Sequence, residues 1–324
     1  MSHHGRLRLC RAGMAALLLL AGLLPACSQR QQLTIFCAAS LSRVATGLGR
    51  RFAEQHPGWQ VVVEPSGSQV AARKVAELGR RADLVLSADW RVLRDILLPE
   101  HAPWLVQFCS NEIVLAYGPH SPHAEEMDAG NWPRWLLAEG VRLARANERT
   151  APIGFQTLQV WQLAERHYAG KAWAKNLASN LRARVAPRHV VDDIDKLVGL
   201  LQTRAVDYVF VFRSSAEEYR LQFVALPAAI NLGDPGRADT YARVAATAEL
   251  GSGRRVQLPA RPVIYGACIP ASAVHARQAA QLLRMLLEAP GAAELRRSGF
   301  RPLQPASCRG SCTKLPGVLA PLLR

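Results

Sequence analysis

The sequence predicts a two-lobed α/β fold, and three observations carry that expectation. Strand-like and helix-like patterns alternate from Leu33 onward. A second alternating set, over residues 141–212, is interposed between two distant apolar runs at 112–117 and 262–268. Two serine turns, Ser40-Leu41-Ser42 and Ser66-Gly67-Ser68, each follow an apolar strand and open an amphipathic segment. Alternating strands and helices build a parallel sheet with right-handed crossovers. An interposed second set builds a second sheet.

The elements follow from pattern. Residues 1–26 read as a leader, because Arg6, Arg8 and Arg11 precede an apolar run over 14–24 that is too short to span a bilayer. The run ends in Leu24-Pro25-Ala26-Cys27, which resembles a bacterial lipobox. Cleavage before Cys27 and lipidation of its thiol are expected, with 27–32 as a tether. Residues 33–36 form a short apolar strand. Val44, Leu48 and Phe52 then recur at four-residue spacing, a helical stripe over 42–55 that Pro57-Gly58 closes. Strand 60–63, helix 69–78 with Ala71, Val75 and Leu78 on one face, and strand 83–86 complete a β-α-β-α-β run. In the interposed set, strand 141–144, helices near 154–168 and 194–201, and strand 208–212 repeat the theme. An amphipathic helix covers 274–287. The Pro-, Gly- and Ser-rich remainder from Gly299 is expected to wrap the surface. The first lobe is assigned 33–111 and 269–324, and the second 112–268, with hinge strands near 109–117 and 262–268.

The 324-residue chain carries a formal charge of +15. Its arginines are scattered in pairs such as Arg50-Arg51, Arg80-Arg81, Arg254-Arg255 and Arg296-Arg297, with no long basic tail and no nucleic-acid motif. That is the pattern of solvated helix faces, so no nucleic-acid partner is expected. Five cysteines remain beyond Cys27. Cys308 and Cys312 flank a short glycine-containing loop and suit a small disulfide; no histidine lies beside them to complete a zinc set. Cys37, Cys109 and Cys268 fall in or beside apolar strand patterns, where buried thiols are common, and a Cys109–Cys268 bridge is also compatible with the sequence. Catalytic signatures are missing: there is no Gly-x-Ser-x-Gly elbow, no His-Glu-x-x-His and no phosphate loop ending in Gly-Lys-Ser/Thr. His56, His101, His120, His123, His167, His189 and His275 are dispersed and fit the surface. Neither an enzyme, a cofactor nor a side-chain metal site is expected.

The serine turns are the chemistry-bearing feature. A strand-to-helix turn presents its first free N–H groups, and the helix dipole favours negative charge there. Open α/β sheets place ligands at the carboxyl ends of their strands. A serine at a helix start also serves as an ordinary N-cap with no ligand at all. Two such turns in one lobe, each directly after a parallel strand, point to a small anion.

Several stretches resemble the tungstate/molybdate-binding proteins of ABC transporters, of the archaeal type, in the right order and over nearly the whole mature chain. They are Phe36-Cys37-Ala38-Ala39-Ser40-Leu41-Ser42, Ser66-Gly67-Ser68-Gln69-Val70-Ala71-Ala72, Arg81-Ala82-Asp83-Leu84-Val85-Leu86-Ser87, Asn111-Glu112-Ile113-Val114, Ile230-Asn231-Leu232-Gly233-Asp234-Pro235 and Tyr265-Gly266-Ala267-Cys268. The resemblance implies a type II periplasmic-binding fold, with the ligand between two lobes that close by a hinge. It implies a receptor outside the cytoplasm serving an ABC permease and ATPase; a monomer is expected, and the lipobox-like run would hold it to a bacterial membrane through Cys27. It places Ser40, with Leu41, and Ser68 on the oxyanion from the first lobe. From the second lobe it nominates Ala151-Pro152-Ile153, Val211 and, more weakly, Tyr241. Many members of the family carry acids at the positions of Ala151 and Val211, and those carboxylates complete six-fold coordination of the metal. Neither residue here can ligate, so the resemblance implies a tetrahedral oxyanion held by hydrogen bonds. The alternatives are a receptor for another anion, such as sulfate or a small carboxylate, and a lipoprotein that senses its ligand without transport.

Overall fold

The computed structural model describes residues 30–149, 152–192, 194–249 and 255–324. The leader, Cys27 and Ala151 lie outside the described residues. The chain begins with β1 (Gln31–Ala38), α1 (Ser42–Gln55), β2 (Trp59–Ser66), α2 (Ser68–Ala76), β3 (Leu84–Ser87), α3 (Trp90–Ile96), β4 (Trp104–Asn111) and β5 (Ile113–Tyr117). It continues through α4 (Trp132–Leu136), β6 (Leu143–Ala146), α5 (Pro152–His167), α6 (Leu177–Arg184), β7 (Val190–Val191), α7 (Ile194–Gln202), β8 (Tyr208–Phe212), α8 (Arg213–Glu218) and β9 (Gln222–Ala225). It ends with α9 (Ala238–Tyr241), β10 (Ala245–Glu249), β11 (Arg255–Pro259), β12 (Val263–Cys268), α10 (Ala276–Leu287), α11 (Ala289–Arg297) and β13 (Arg301–Gly310).

Two large sheets result, one six-stranded in the order β13-β4-β12-β3-β1-β2 and one five-stranded in the order β7-β6-β8-β5-β9, and β10 and β11 pair as a separate two-stranded ribbon. β1 runs parallel to both β2 and β3, and its inner residues are buried on both faces, as helix-covered parallel strands must be. The stripe of α1 buries Val44, Leu48 and Phe52 as its spacing demands. In the second sheet β6 runs parallel to β8, and Trp132, Trp161 and Phe210 meet edge-to-face beneath it.

Four expectations need correction. The assignment of 112–268 to the second lobe extends too far. β12 pairs with β3 and β4 in the first sheet, so the return crossing falls between Pro259 and Val263. The remainder from Gly299 is not all surface wrap, because β13 lines the edge of the first sheet along β4. Pro302 and Pro305 hide this strand in the sequence, yet an edge strand with an irregular register tolerates prolines. Finally, Cys109 sits opposite Tyr265 on β12, three residues out of register with Cys268. At about 3.3 Å per residue that offset exceeds disulfide reach, and Cys37, Cys109 and Cys268 are buried free thiols. Cys308 and Cys312 form the disulfide. One histidine, His189, is also buried rather than on the surface.

Three chain segments meet at the hinge. Asn111 and Ile113 carry the chain from β4 into β5. Segment 230–233 bonds both strands that border it, with Asn231 accepting from the Ile113 N–H and Leu232 from the Val263 N–H, each at 2.9 Å. The Ser110 hydroxyl donates to the Gly233 carbonyl at 2.8 Å. Glu112 accepts from Asn231 at 3.0 Å and from Arg213 at 2.9 Å. A Cβ on Gly233 would lie 2.6 Å from the Glu112 Cβ. Gly233→Ala is therefore expected to destabilise the protein by about 1–3 kcal/mol. The urea midpoint measures this, and an unchanged midpoint would show that the hinge yields freely.

Candidate functional site

Register brings the two serine turns together. Ala38 and Ser66, the last residues of β1 and β2, are Cα partners in neighbouring parallel strands. A 3-10 turn over Ala39–Leu41 leads from β1 into α1, and Gly67 leads from β2 into α2. The helix caps are Leu41 and Gly67, and neither turn has a side-chain cap bond. The hydroxyls of Ser40 and Ser68 are thus not consumed by capping. The first intrahelical bond of α2 runs from the Ala71 N–H to the Gly67 carbonyl at 2.9 Å, which leaves the N–H groups of residues 68–70 in the open first turn. The Ser68 hydroxyl accepts from the Ala88 N–H at 3.0 Å, which ties it to the carboxyl end of β3.

Ser40 is half-buried, and its hydroxyl lies 3.1 Å from the Tyr265 hydroxyl. The Asn111 amide donates to Tyr265 at 3.2 Å and to the Ser214 hydroxyl at 2.8 Å. Ser214 belongs to α8, which follows β8 of the second sheet. The carboxyl end of β1 is therefore joined to the carboxyl end of β8 through two buried hinge residues. Tyr265 is fully buried and packs edge-on against Phe300. Burial raises its phenol to about 12, although the hydrogen bonds with Ser40 and Asn111 pull the other way.

On the second lobe, β6 and β8 are in parallel register, with Leu143 opposite Tyr208 and Ala144 opposite Val209. Extending that register sets Val211 level with Ala146, where the 147–152 connection leaves β6. Pro152 opens α5 at a position where its missing N–H costs nothing. Gly154 is required there, because a Cβ would lie 2.4 Å from the Asn147 carbonyl. Ile153 is buried. Beside this turn Arg145, itself buried, bonds Glu148, and Arg182 reaches the same carboxylate at 2.9 Å. Burial alone would raise the Glu148 carboxyl, but the bond from Arg145 and the charges of Arg145 and Arg182 hold it below its ordinary range.

Two nominated residues sit differently from a ligand-facing expectation. The Val211 side chain lies in an apolar cluster with Val114, Val209 and Ala216, so only its backbone remains for polar contact. Tyr241 is fully buried, and its hydroxyl donates to the Ala228 carbonyl at 2.5 Å and accepts from the Asp234 N–H at 3.2 Å. Both of its roles are taken by backbone groups of residues 228 and 234. Sequence reasoning assigned no chemistry to Asn111, Tyr265, Ser214 or Ala88. Asn111 and Tyr265 lie within stretches that looked like strands, which concealed that their polar ends meet. Among the described residues no cluster of His, Cys, Asp and Glu could hold a metal ion. Two surface cavities, one beside Arg142, Arg204 and Arg220 and one beside Trp161 and Arg182, lie away from the serine turns.

Two α/β lobes joined by a buried hinge, with two open turns at the carboxyl ends of first-lobe strands, define a two-lobed periplasmic-binding fold of type II. The chain matches the family of bacterial extracellular solute-binding proteins over residues 33–301 and belongs to it. It is 32% identical to a molybdate/tungstate-binding protein of Pyrococcus abyssi over 282 residues, 80% of this chain and 81% of that one. It is also 32% identical to an uncharacterized solute-binding protein of Petrotoga mobilis over 276 residues, 85% and 84% of the two chains. The periplasmic molybdate-binding protein of Azotobacter vinelandii shares the fold, with a TM-score of 0.54, 17% identity and coverage of 83% of this chain and 98% of that one. So does a substrate-binding domain from Clostridium difficile, with a TM-score of 0.61, 15% identity and coverage of 84% and 99%. The family and these relatives are binding proteins rather than enzymes.

The raised phenol of Tyr265 makes a pH prediction. An unfolded tyrosine titrates near 10, whereas folded Tyr265 holds its proton to about 12. Its contribution is complete below pH ~10 and is lost as pH rises through ~12. Wild type should therefore lose up to ~3 kcal/mol more stability over that window than Tyr265→Phe. Urea unfolding from pH 9 to 12 measures the difference, and parallel slopes for the two proteins would contradict it.

Proposed function

We propose that the protein is an extracytoplasmic receptor that captures molybdate or tungstate between its lobes and delivers it to an ABC permease. One observation carries the reading. The hydroxyls of Ser40 and Ser68 stand at the ends of adjacent parallel strands, beside open helix-start N–H groups, and neither is used as a cap. Such dipoles hold an anion strongly without a counter-charge. The 32% identity to a molybdate/tungstate-binding protein narrows the anion to a metal oxyanion. Ala151 and Val211 supply no carboxylate, so the ligand stays tetrahedral and is held by hydrogen bonds alone. Ile153 and its neighbours at the start of α5 supply the second-lobe N–H groups.

Calorimetric titration of residues 27–324 with molybdate, tungstate, sulfate and phosphate tests this reading. Tight binding of either metal oxyanion is expected, and failure to bind both would overturn it. Ser40→Ala and Ser68→Ala should each weaken binding by about 1–3 kcal/mol, and undiminished affinity in both would place the site elsewhere. The lipobox-like Leu24-Pro25-Ala26-Cys27 supports a lipid anchor at Cys27. Expression in a bacterium with labelled palmitate should mark the wild type and leave Cys27→Ser unlabelled; equal labelling would remove the anchor.

A further inference from the structure

The side chains of Ser214, Asn111, Tyr265 and Ser40 form a chain of hydrogen bonds, buried as far as the half-buried Ser40, whose proton direction is determined. We infer that Asn111 and Tyr265 are positioning residues that fix Ser40 as a hydrogen-bond donor, and that the site thereby discriminates against oxyanions that carry a proton. The inference rests on the receptor reading above.

Asn111 sets the direction. Its Oδ1 accepts from the N–H of Glu112 at 3.0 Å and from the N–H of Ser214 at 3.4 Å. Backbone N–H groups only donate, so the oxygen must be on that side and the two amide protons on the other. Those protons go to Ser214 and to Tyr265. The Tyr265 oxygen is thus an acceptor, and its own proton needs a partner. Among the described residues the one acceptor within reach is the Ser40 Oγ. If Ser40 instead donated to Tyr265, the phenolic proton would be stranded in the core, because Tyr265 has no exposed surface. Tyr265 therefore donates, and the Ser40 proton is left to point away from it. Burial keeps the phenol protonated across physiological pH.

Ser68 is set the same way by a different group. It accepts from the Ala88 N–H, which has no alternative to donating, and so its own proton is free. Both hydroxyls, with the first-turn N–H groups, then offer donors. Molybdate, tungstate and sulfate at neutral pH accept on every oxygen. Hydrogen phosphate and hydrogen arsenate bring a proton that needs an acceptor, and a site of donors gives it none.

The experiment measures molybdate and phosphate affinity at pH 8 for wild type, Tyr265→Phe, Ser40→Ala and the double variant. Tyr265→Phe keeps the ring and removes only the hydroxyl, so Ser40 loses the donor that fixes the direction of its own proton and polarises it. Molybdate affinity should fall about 3- to 10-fold, the effect of one hydrogen bond, and the molybdate-to-phosphate ratio should fall with it. The double variant should match Ser40→Ala, because Tyr265 acts through Ser40. Asn111→Asp is the second variant. It is nearly isosteric, but its carboxylate would draw the Tyr265 proton and force Ser40 to donate inward, so the same losses are expected. A folded Tyr265→Phe or Asn111→Asp with wild-type affinity and ratio, or additive losses in the double variant, would overturn the inference alone. A wild type that binds no metal oxyanion would overturn the receptor reading and the inference with it.

Discussion

Asn111 ends β4 of one sheet, and the single residue Glu112 separates it from β5 of the other. Its single amide serves groups from both lobes. It holds the N–H of Glu112 and Ser214 on one side and the hydroxyls of Ser214 and Tyr265 on the other. Every polar valence of that side chain is filled in a place that water does not reach. The carboxyl ends of β1 and β8 keep their mutual position because of it. A buried polar group in this arrangement is costly to disturb, since removing one partner strands the others. The surrounding pairs, Glu112 with Arg213 and Asn231 and Ser110 with Gly233, extend the same logic to all three hinge segments. The lobes are thus joined by directional bonds, which suits a hinge with few alternative geometries.

Electrostatics around the turns is economical. The chain is strongly basic, yet the hydrogen bonds described for Ser40 and Ser68 go to Tyr265 and the Ala88 N–H, and not to a cation. On the second lobe the buried Arg145 and the exposed Arg182 flank Glu148 and largely satisfy it. An anion there would meet fixed dipoles and hydroxyls instead of a flexible ammonium. Dipoles that are already oriented need little reorganisation when a ligand arrives. They also hold a small ligand without the deep energetic well of a buried ion pair, which favours release as well as capture.

Much of this architecture was legible in the sequence. The alternation of pattern marks β1 to β3 and their helices, and the interposed set marks the second sheet, because period and capping are local properties. The serine turns were legible for the same reason. What escaped depends on register and long-range packing. β13 was hidden by its prolines, and the place of β12 follows from pairing with β3 and β4, which no local signal reports. Tyr265 and Asn111 lie 154 residues apart and meet only in the folded hinge. Tyr241 shows the converse: the resemblance nominated it weakly as a ligand contact, whereas its hydroxyl bonds the backbone of Ala228 and Asp234.

The distribution of sulfur bears on how the chain folds once outside the reducing cytoplasm. Cys308 and Cys312 are four residues apart and close the shortest loop available to any thiols of the chain beyond Cys27. Short loops meet most often in an unfolded chain, so this pair has the kinetic lead over every competing pairing. Cys37, Cys109 and Cys268 then disappear into the first lobe, and burial raises their thiols far above neutrality. Thiols that cannot ionise do not exchange. An odd number of cysteines is thereby compatible with an oxidising compartment, and the first sheet acts as its own protecting group.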